Sequence, residues 1–316
     1  MAATEKVICV VGPTASGKTK MGVALAQRFD GEVVSVDSMQ IYRGMAVGTA
    51  APTPEETEGV PHHMIGVADP AENWSVARFT QAADACVQDI LRRGKRPVLV
   101  GGTGLYLDAL LRGTDFAAGS QDTPLRRHLQ ERLRREGAET LLEELRRVDP
   151  DSAARLHLRD EKRILRALEV YQATGETITL HDRRTQAQPP RYEGVFVGLS
   201  FKDRQDLRDR IDCRVDDMVA RGLLDEVRSL LQSGLPRTAT AWQAIGYKQF
   251  LEVADGRMTE AEAVAEVKLR SRQYAKRQLT WLRRNEAIHW ILWDKVPDFP
   301  SGLQNATKFL TSSGVC

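Results

Sequence analysis

Lys18 and Thr19 close the run Gly12-Pro13-Thr14-Ala15-Ser16-Gly17-Lys18-Thr19, a G-x-x-x-x-G-K-T pattern. Glycines at its two ends let backbone N–H groups turn toward one point, where an anionic phosphate chain satisfies them. At this spacing Lys18 reaches a terminal phosphate, and the Thr19 hydroxyl is the expected ligand of a Mg2+ shared with the phosphate oxygens. The chemistry is that of a diphosphate or triphosphate; the loop alone does not select the reaction. Three other groups carry candidate chemistry. Asp37, opening Asp37-Ser38-Met39-Gln40-Ile41-Tyr42, reads as an acid beside the phosphates or as a turn former or helix cap. His62 and His63, after Pro61, read as structural or substrate-contacting residues, or else as metal ligands, although no Cys, Glu or third His stands at ligand spacing. Thr103, in Gly101-Gly102-Thr103-Gly104-Leu105-Tyr106, reads as a hydroxyl ligand or a helix cap.

These residues need elements to hold them. The apolar run 7–11 reads as a buried parallel strand and 17–29 as the helix whose positive end faces the same anion. A second strand, 32–36, delivers Asp37 to the end of a parallel sheet that faces the ligand crevice. Apolar residues at helical spacing over 75–93 lead to a strand at 97–100. Many P-loop enzymes end such a strand in an Mg2+-binding Asp; here it ends in Gly-Gly-Thr, which leaves Asp37 as the nearby acid. From 115 to 190, arginines and leucines alternate at helical spacing and read as an all-helical insertion, with 186–190 as the linker back. Strand 195–200 follows, then a helix over 202–232 whose Arg208, Arg210 and Arg214 could reach back over the loop. Residues 241–253 mix aromatic and basic side chains around Trp242. The helix expected at 259–284 puts Val264, Val267, Tyr274 and Trp281 near one face. It has no acid after Glu266, so its other face reads as a cationic surface for a polyanion or as solvated helix. A last strand at 287–293 and a peripheral tail at 301–316 complete the chain.

The expected class is α/β: a P-loop NTPase-like parallel sheet flanked by helices over 1–114 and 191–316, with the helical insertion domain at 115–190. At 316 residues and 42% apolar content the chain can bury a large core. The net charge of +2 is uninformative because 45 basic and 43 acidic residues nearly cancel. Four scattered cysteines suggest neither a disulfide framework nor a zinc site, and Cys9 reads as core. No leader-like start and no run of membrane-spanning length are present, so a cytoplasmic protein with no membrane partner is expected.

Taken in order, the phosphate loop, Asp37 to Tyr42, Pro61-His62-His63, Gly101 to Tyr106 and Arg272-Gln273-Tyr274-Ala275-Lys276-Arg277-Gln278-Leu279-Thr280-Trp281 resemble the bacterial tRNA dimethylallyltransferases of the IPP transferase family. The resemblance spans roughly 6–293; the zinc-finger extension of eukaryotic relatives has no counterpart in the cysteine positions. It implies Mg2+-dependent prenyl transfer from dimethylallyl diphosphate to N6 of adenine 37, in the anticodon stem-loop of tRNAs reading codons that begin with U. The resemblance also assigns roles. Lys18, Thr19 and Arg214 would draw charge off the leaving diphosphate, Asp37 would act as general base, and Thr103 would belong to the catalytic set. It places tRNA contacts on Asp37, Ser38, Met39, Gln40 and Thr103, on Lys162, Arg163, Ile164, Leu165 and Arg166, and on Gln243, Ala244, Ile245, Gly246, Tyr247 and Lys248. The family often carries a basic residue where Gln243 stands. No obligate protein partner is expected. Three rivals share the loop: a small-molecule kinase, for which no acceptor or ATP-base site is legible, a transferase that prenylates free AMP, and an RNA-binding module with a relict loop.

Overall fold

Val7, Ile8, Cys9, Val10 and Val11 are all 0% exposed, so the first strand has no polar face and must be covered on both sides. The computed structural model describes residues 5–114, 116 and 123–315; the expected insertion boundary Asp115 and the terminal Cys316 lie outside them. In chain order the elements begin β1 (Lys6–Val11), α1 (Lys18–Arg28), β2 (Gly31–Val36), α2 (Pro54–Thr57), β3 (His62–His63), α3 (Val76–Arg92), β4 (Arg96–Gly101) and α4 (Gly104–Arg112). Next come α5 (Pro124–Val148), α6 (Pro150–Ala153), α7 (Glu161–Thr174) and α8 (Ile178–Ala187). The chain ends with β5 (Glu193–Phe201), α9 (Arg204–Ala220), α10 (Leu223–Gln232), α11 (Tyr247–Ala254), α12 (Glu260–Leu282), β6 (His289–Trp293) and α13 (Phe299–Ser312).

The six strands form one parallel sheet in the order β3-β2-β4-β1-β5-β6. Strand alternation splits the core. Val7, Cys9, Val11, Val36 and Leu99 pack toward α3, α10, α11 and α12, whereas Ile8, Val10, Val98 and Val197 pack toward α1 and α13. Each such buried valine or leucine contributes about 1.5–3 kcal/mol. Strand β1 lies between β4 and β5, so the chain leaves it toward one edge and returns on the other side. That reversal opens a crevice at the C-terminal end of β1, where the loop 12–19 sits.

The chain divides into two compact units, Met1–Leu111 with Tyr192–Cys316, and Arg112–Arg191. The second has its own core, built on Leu129, Leu141, Leu142, Leu145, Ile164 and Leu168. Within it Gly137, at φ +82°, interrupts α5. Arg132 spans the break, holding Glu136 at 2.9 Å and Glu144 at 2.8 Å.

Several expected boundaries move. The helix foreseen at 202–232 breaks at Gly222, φ +90°, into α9 and α10. The linker foreseen at 186–190 begins later, because α8 continues through Ala187. The stretch 241–253 is a 3-10 turn, Thr240–Gln243, followed by α11. The tail foreseen at 301–316 is not peripheral: Ala306 and Leu310 in α13 are both 0% exposed and cover Ile291 and Trp293. Their i, i+4 spacing makes one apolar stripe, and a Cβ on Gly302 would stand 2.3 Å from the Trp293 ring, so the helix lies directly on β6. Among the described residues, no helix is long and apolar enough to cross a membrane.

Candidate active site

Gly12 is the first residue to leave β1, and its backbone takes φ +155°. A Cβ there would lie 2.4 Å from the Leu199 carbonyl oxygen and 2.7 Å from Ser16 Oγ, so only glycine lets the loop turn so close to β5. Gly17 then stands as the N-cap of α1, and the positive end of the helix faces the loop. Inside the loop Lys18 Nζ donates to the Pro13 carbonyl at 2.7 Å.

A cavity of about 420 Å3 opens at this point. Thr14 to Lys20 form one wall, Asp37 and Gln40 another, and Arg210, Arg214 and Asp217 of α9 a third, with Tyr274 and Gln278 of α12 closing the remaining side. Burial, and then the nearby Arg214 charge, pull the Lys18 pKa down to about 7 against the opposing pull of Asp37. Burial also lowers Arg214, and Asp37 again opposes the shift. Lys18, Arg214 and Asp37 thus act on one another, in a field to which Glu56 and Arg221 also contribute. Two polar atoms of cavity-lining residues, Ser16 Oγ and Arg214 Nε, are buried with no hydrogen-bond partner among the described residues. Groups left in that state are costly unless a ligand completes them.

Asp37 does what both readings of it require. Its Oδ1 accepts the amides of Met39 at 2.8 Å and Gln40 at 3.3 Å, which builds the turn, while its carboxylate lines the cavity. Thr103 opens α4 through its carbonyl, which accepts the amides of Tyr106 and Leu107; the hydroxyl makes no cap. His62 Nδ1 lies 2.8 Å from the Val60 carbonyl and His63 Nε2 lies 2.8 Å from Glu32, whose carboxylate Arg93 also holds. The Arg93 hydrogen bond, with lesser help from His63, brings Glu32 down to about 2. His63 is thus bound into a structural cluster with Glu32 and Arg93, whereas His62 also lines the cavity, and among the described residues no cluster of three or more His, Cys, Asp or Glu could hold a metal. An Mg2+ needs less: Thr19 offers one hard oxygen at the start of α1, and such ions take few protein ligands when phosphates and water supply the rest.

Other expectations are corrected. Arg210 and Arg214 reach the cavity, but Arg208, two residues before Arg210, faces a different groove with Lys276 and Arg283. Ile164 and Leu165 are 0% and 7% exposed in the core of the helical unit, so only Lys162 and Arg163 of that group are exposed, Arg163 beside Asp160 at 3.7 Å, with Arg166 turned to Glu169. Ala244, Gly246 and Tyr247 are likewise buried, leaving Gln243 and Lys248 exposed and Ile245 half-buried. Helical periodicity turns Ile164 and Leu165 inward on α7, while Ala244 and Gly246 belong to the buried connection between the 3-10 turn and α11. On α12, Val267 is buried and Val264 packs against the core as expected, but Trp281 is 37% exposed, and Ala275, Gln278 and Leu282 carry the packed face at that end.

Sequence reasoning gave Gln278 no role. Its Oε1 accepts the Thr14 amide at 2.9 Å and its Nε2 donates to the Gly102 carbonyl at 3.1 Å, tying α12 to both strand-end loops. The absence of a side chain at Gly102 allows this, since a Cβ would meet Nε2 at 2.1 Å. A glutamine on the apolar face of a helix, facing a Gly-Gly pair, was the available signal.

Comparison with known proteins adds an independent line. A family model described as IPP transferase matches residues 40–285, and one described as isopentenyl transferase matches residues 5–66. The tRNA dimethylallyltransferase of Geobacillus thermodenitrificans is 47% identical over 288 residues, covering 91% of this chain and 90% of its own. That of Carboxydothermus hydrogenoformans is 41% identical over 316 residues, covering 99% and 98%. The crystal structure of the full-length tRNA isopentenylpyrophosphate transferase from Bacillus halodurans superposes with a TM-score of 0.73 at 41% identity, over 98% of this chain and 96% of that one. A eukaryotic dimethylallyltransferase captured acting on tRNA gives a TM-score of 0.81 at 32% identity, over 96% of this chain and 77% of that one.

Proposed function

This chain belongs to the IPP transferase family, and from that premise we propose that it transfers a dimethylallyl group from dimethylallyl diphosphate to N6 of adenine 37 in the anticodon loop of tRNAs reading codons that begin with U. It is a prenyltransferase that modifies tRNA. The finer statement rests chiefly on one observation: Lys18, Thr19, Arg214 and Asp37 line the same cavity.

The allylic C–O bond breaks as negative charge collects on the departing diphosphate. Lys18, Arg214 and the N-terminus of α1 meet that charge: Arg214 Nε is a buried donor with no partner among the described residues, and Lys18 Nζ is held at the Pro13 carbonyl beside the same cavity. Mg2+ held through Thr19 would add further neutralisation of the phosphate oxygens. The walls contributed by Ile65, Val100 and Met218 suit an apolar five-carbon chain. The attacking N6 has its lone pair delocalised into the purine, so a base must take its proton as the new bond forms, and Asp37 has that role. Only a base swung out of its stack can enter such a cavity, which a single-stranded loop permits at a cost of about a few kcal/mol. Lys162 and Arg163 with Gln243 and Lys248 remain the exposed members of the expected tRNA contacts.

Incubation of the protein and Mg2+ with an unmodified tRNA transcript, supplied with either dimethylallyl diphosphate or ATP, tests this. Mass spectrometry of the nucleosides should show a dimethylallyl adduct on adenosine. Phosphoryl transfer without that adduct would replace this reading with a kinase.

A further inference from the structure

Glu226, on α10, makes its hydrogen bonds to a loop rather than to any substrate-facing group. Its Oε2 accepts the Val47 amide at 2.9 Å and its Oε1 the Gly48 amide at 3.0 Å. Tyr247, 0% exposed on α11, donates its hydroxyl to the same Oε1 at 2.5 Å and accepts the Gly48 amide at 3.1 Å. Burial and then the Glu226 charge drive the Tyr247 pKa up, so the hydroxyl stays protonated and able to donate. A Cβ at Gly48 would stand 2.5 Å from the Tyr247 ring, so loop and ring are in close contact.

The held loop turns back on the active site. Ala50 adopts φ +46°, a left-handed conformation that a residue with a Cβ takes only when its surroundings impose it. There the Ala50 carbonyl accepts both Arg214 Nη2 at 3.4 Å and Gln40 Nε2 at 3.3 Å, and the Thr49 carbonyl also accepts Gln40 Nε2. The Gln40 amide in turn donates to Asp37 Oδ1.

We propose that Glu226 and Tyr247 are positioning residues of the transfer site, holding loop 47–50 so that its carbonyls aim Arg214 at the diphosphate and steady the turn that carries Asp37. This rests on the diphosphate reading of the cavity. It also gives Tyr247 a role inside the protein in place of a tRNA contact.

The test is calorimetric binding of inorganic diphosphate with Mg2+ to the full chain and to Glu226→Gln, Tyr247→Phe, Arg214→Ala and the two double variants with Arg214→Ala. Glu226→Gln should weaken binding about tenfold, the size of a lost charge-assisted contact, and Tyr247→Phe somewhat less. In the Arg214→Ala background both should change affinity by less than about twofold, because residues that act through Arg214 have nothing left to aim. Full multiplication of the losses, or wild-type affinity in Glu226→Gln while Arg214→Ala binds weakly, would overturn the inference and leave the diphosphate reading standing. Undiminished binding by Arg214→Ala would overturn both. If Glu226→Gln does not fold, Tyr247→Phe deletes a single oxygen and decides by the same cycle.

Discussion

Lys18 and Asp37 are the residues to which we assign the chemistry, and each makes a prediction at the scale of one side chain. With its pKa near 7 rather than 10.5, Lys18 binds fewer protons in the folded chain than in the unfolded one between those values, so its contribution makes stability rise with pH across that window. A bound diphosphate supplies the countercharge and restores the proton. Diphosphate titrations at pH 8 in buffers of different ionisation enthalpy should therefore show proton uptake in the wild type beyond that of Lys18→Met; equal uptake would mean Lys18 was already charged. Asp37 allows a clean separation of roles. Asn at this position keeps the Oδ1 that accepts the Met39 and Gln40 amides, so the turn survives while the base is lost. Asp37→Asn should lower the single-turnover rate by roughly 10²- to 10⁴-fold at saturating substrates, with unchanged thermal stability. A near-wild-type rate would remove the general-base assignment.

Helix α12 shows how an element differs from its composition. Its basic residues read as one cationic face, yet Lys268 pairs with Asp216, Arg272 with Asp212 and Arg270 with Glu266. The aspartates come from α9, 52 or more residues away in sequence, so no local pattern announces them. Further along, Arg277 lies 5.5 Å from the Tyr274 ring and Arg284 lies 5.6 Å from that of Trp281. In tRNA-binding titrations across a salt series, Arg277→Gln with Arg284→Gln should flatten the logarithmic slope by about 1.4–1.8, as two lost phosphate contacts would. Arg270→Gln should leave the slope unchanged. The same helix holds Gln278, whose removal in Gln278→Ala strands the half-buried Thr14 amide and the buried Gly102 carbonyl. We expect a loss of about 1–3 kcal/mol in urea denaturation together with weaker diphosphate binding.

At the scale of the whole chain the cavity belongs to one of the two units. The cavity is built wholly from residues before Leu111 and after Tyr192, and the core of Arg112–Arg191 is separate. Leu145, 0% exposed in that second core, is the place to separate them. Leu145→Ala should cost the helical unit about 2–5 kcal/mol. Urea unfolding followed by two probes should then lose its coincidence. Inorganic diphosphate should still bind normally while tRNA turnover falls; loss of both would show that the helical unit also supports the cavity.

What could be read along the chain was whatever depends on neighbours in sequence. The loop 12–19, the apolar strand before it and the helix after it follow from local spacing, and so do the helices that begin near Ser75 and Thr259. The family motifs likewise placed Asp37 beside the loop. Side-chain direction and long-range pairing were not legible, because a residue's type does not state which face its turn will present. Tertiary structure decided that Tyr247, Ile164 and Leu165 point inward, that α13 covers β6, and that Lys268 and Arg272 of α12 meet aspartates on α9. It also assembled Glu226, loop 47–50, Arg214 and Gln278 around Lys18, since groups 30 to 260 residues apart converge only where β1 reverses the winding of the sheet.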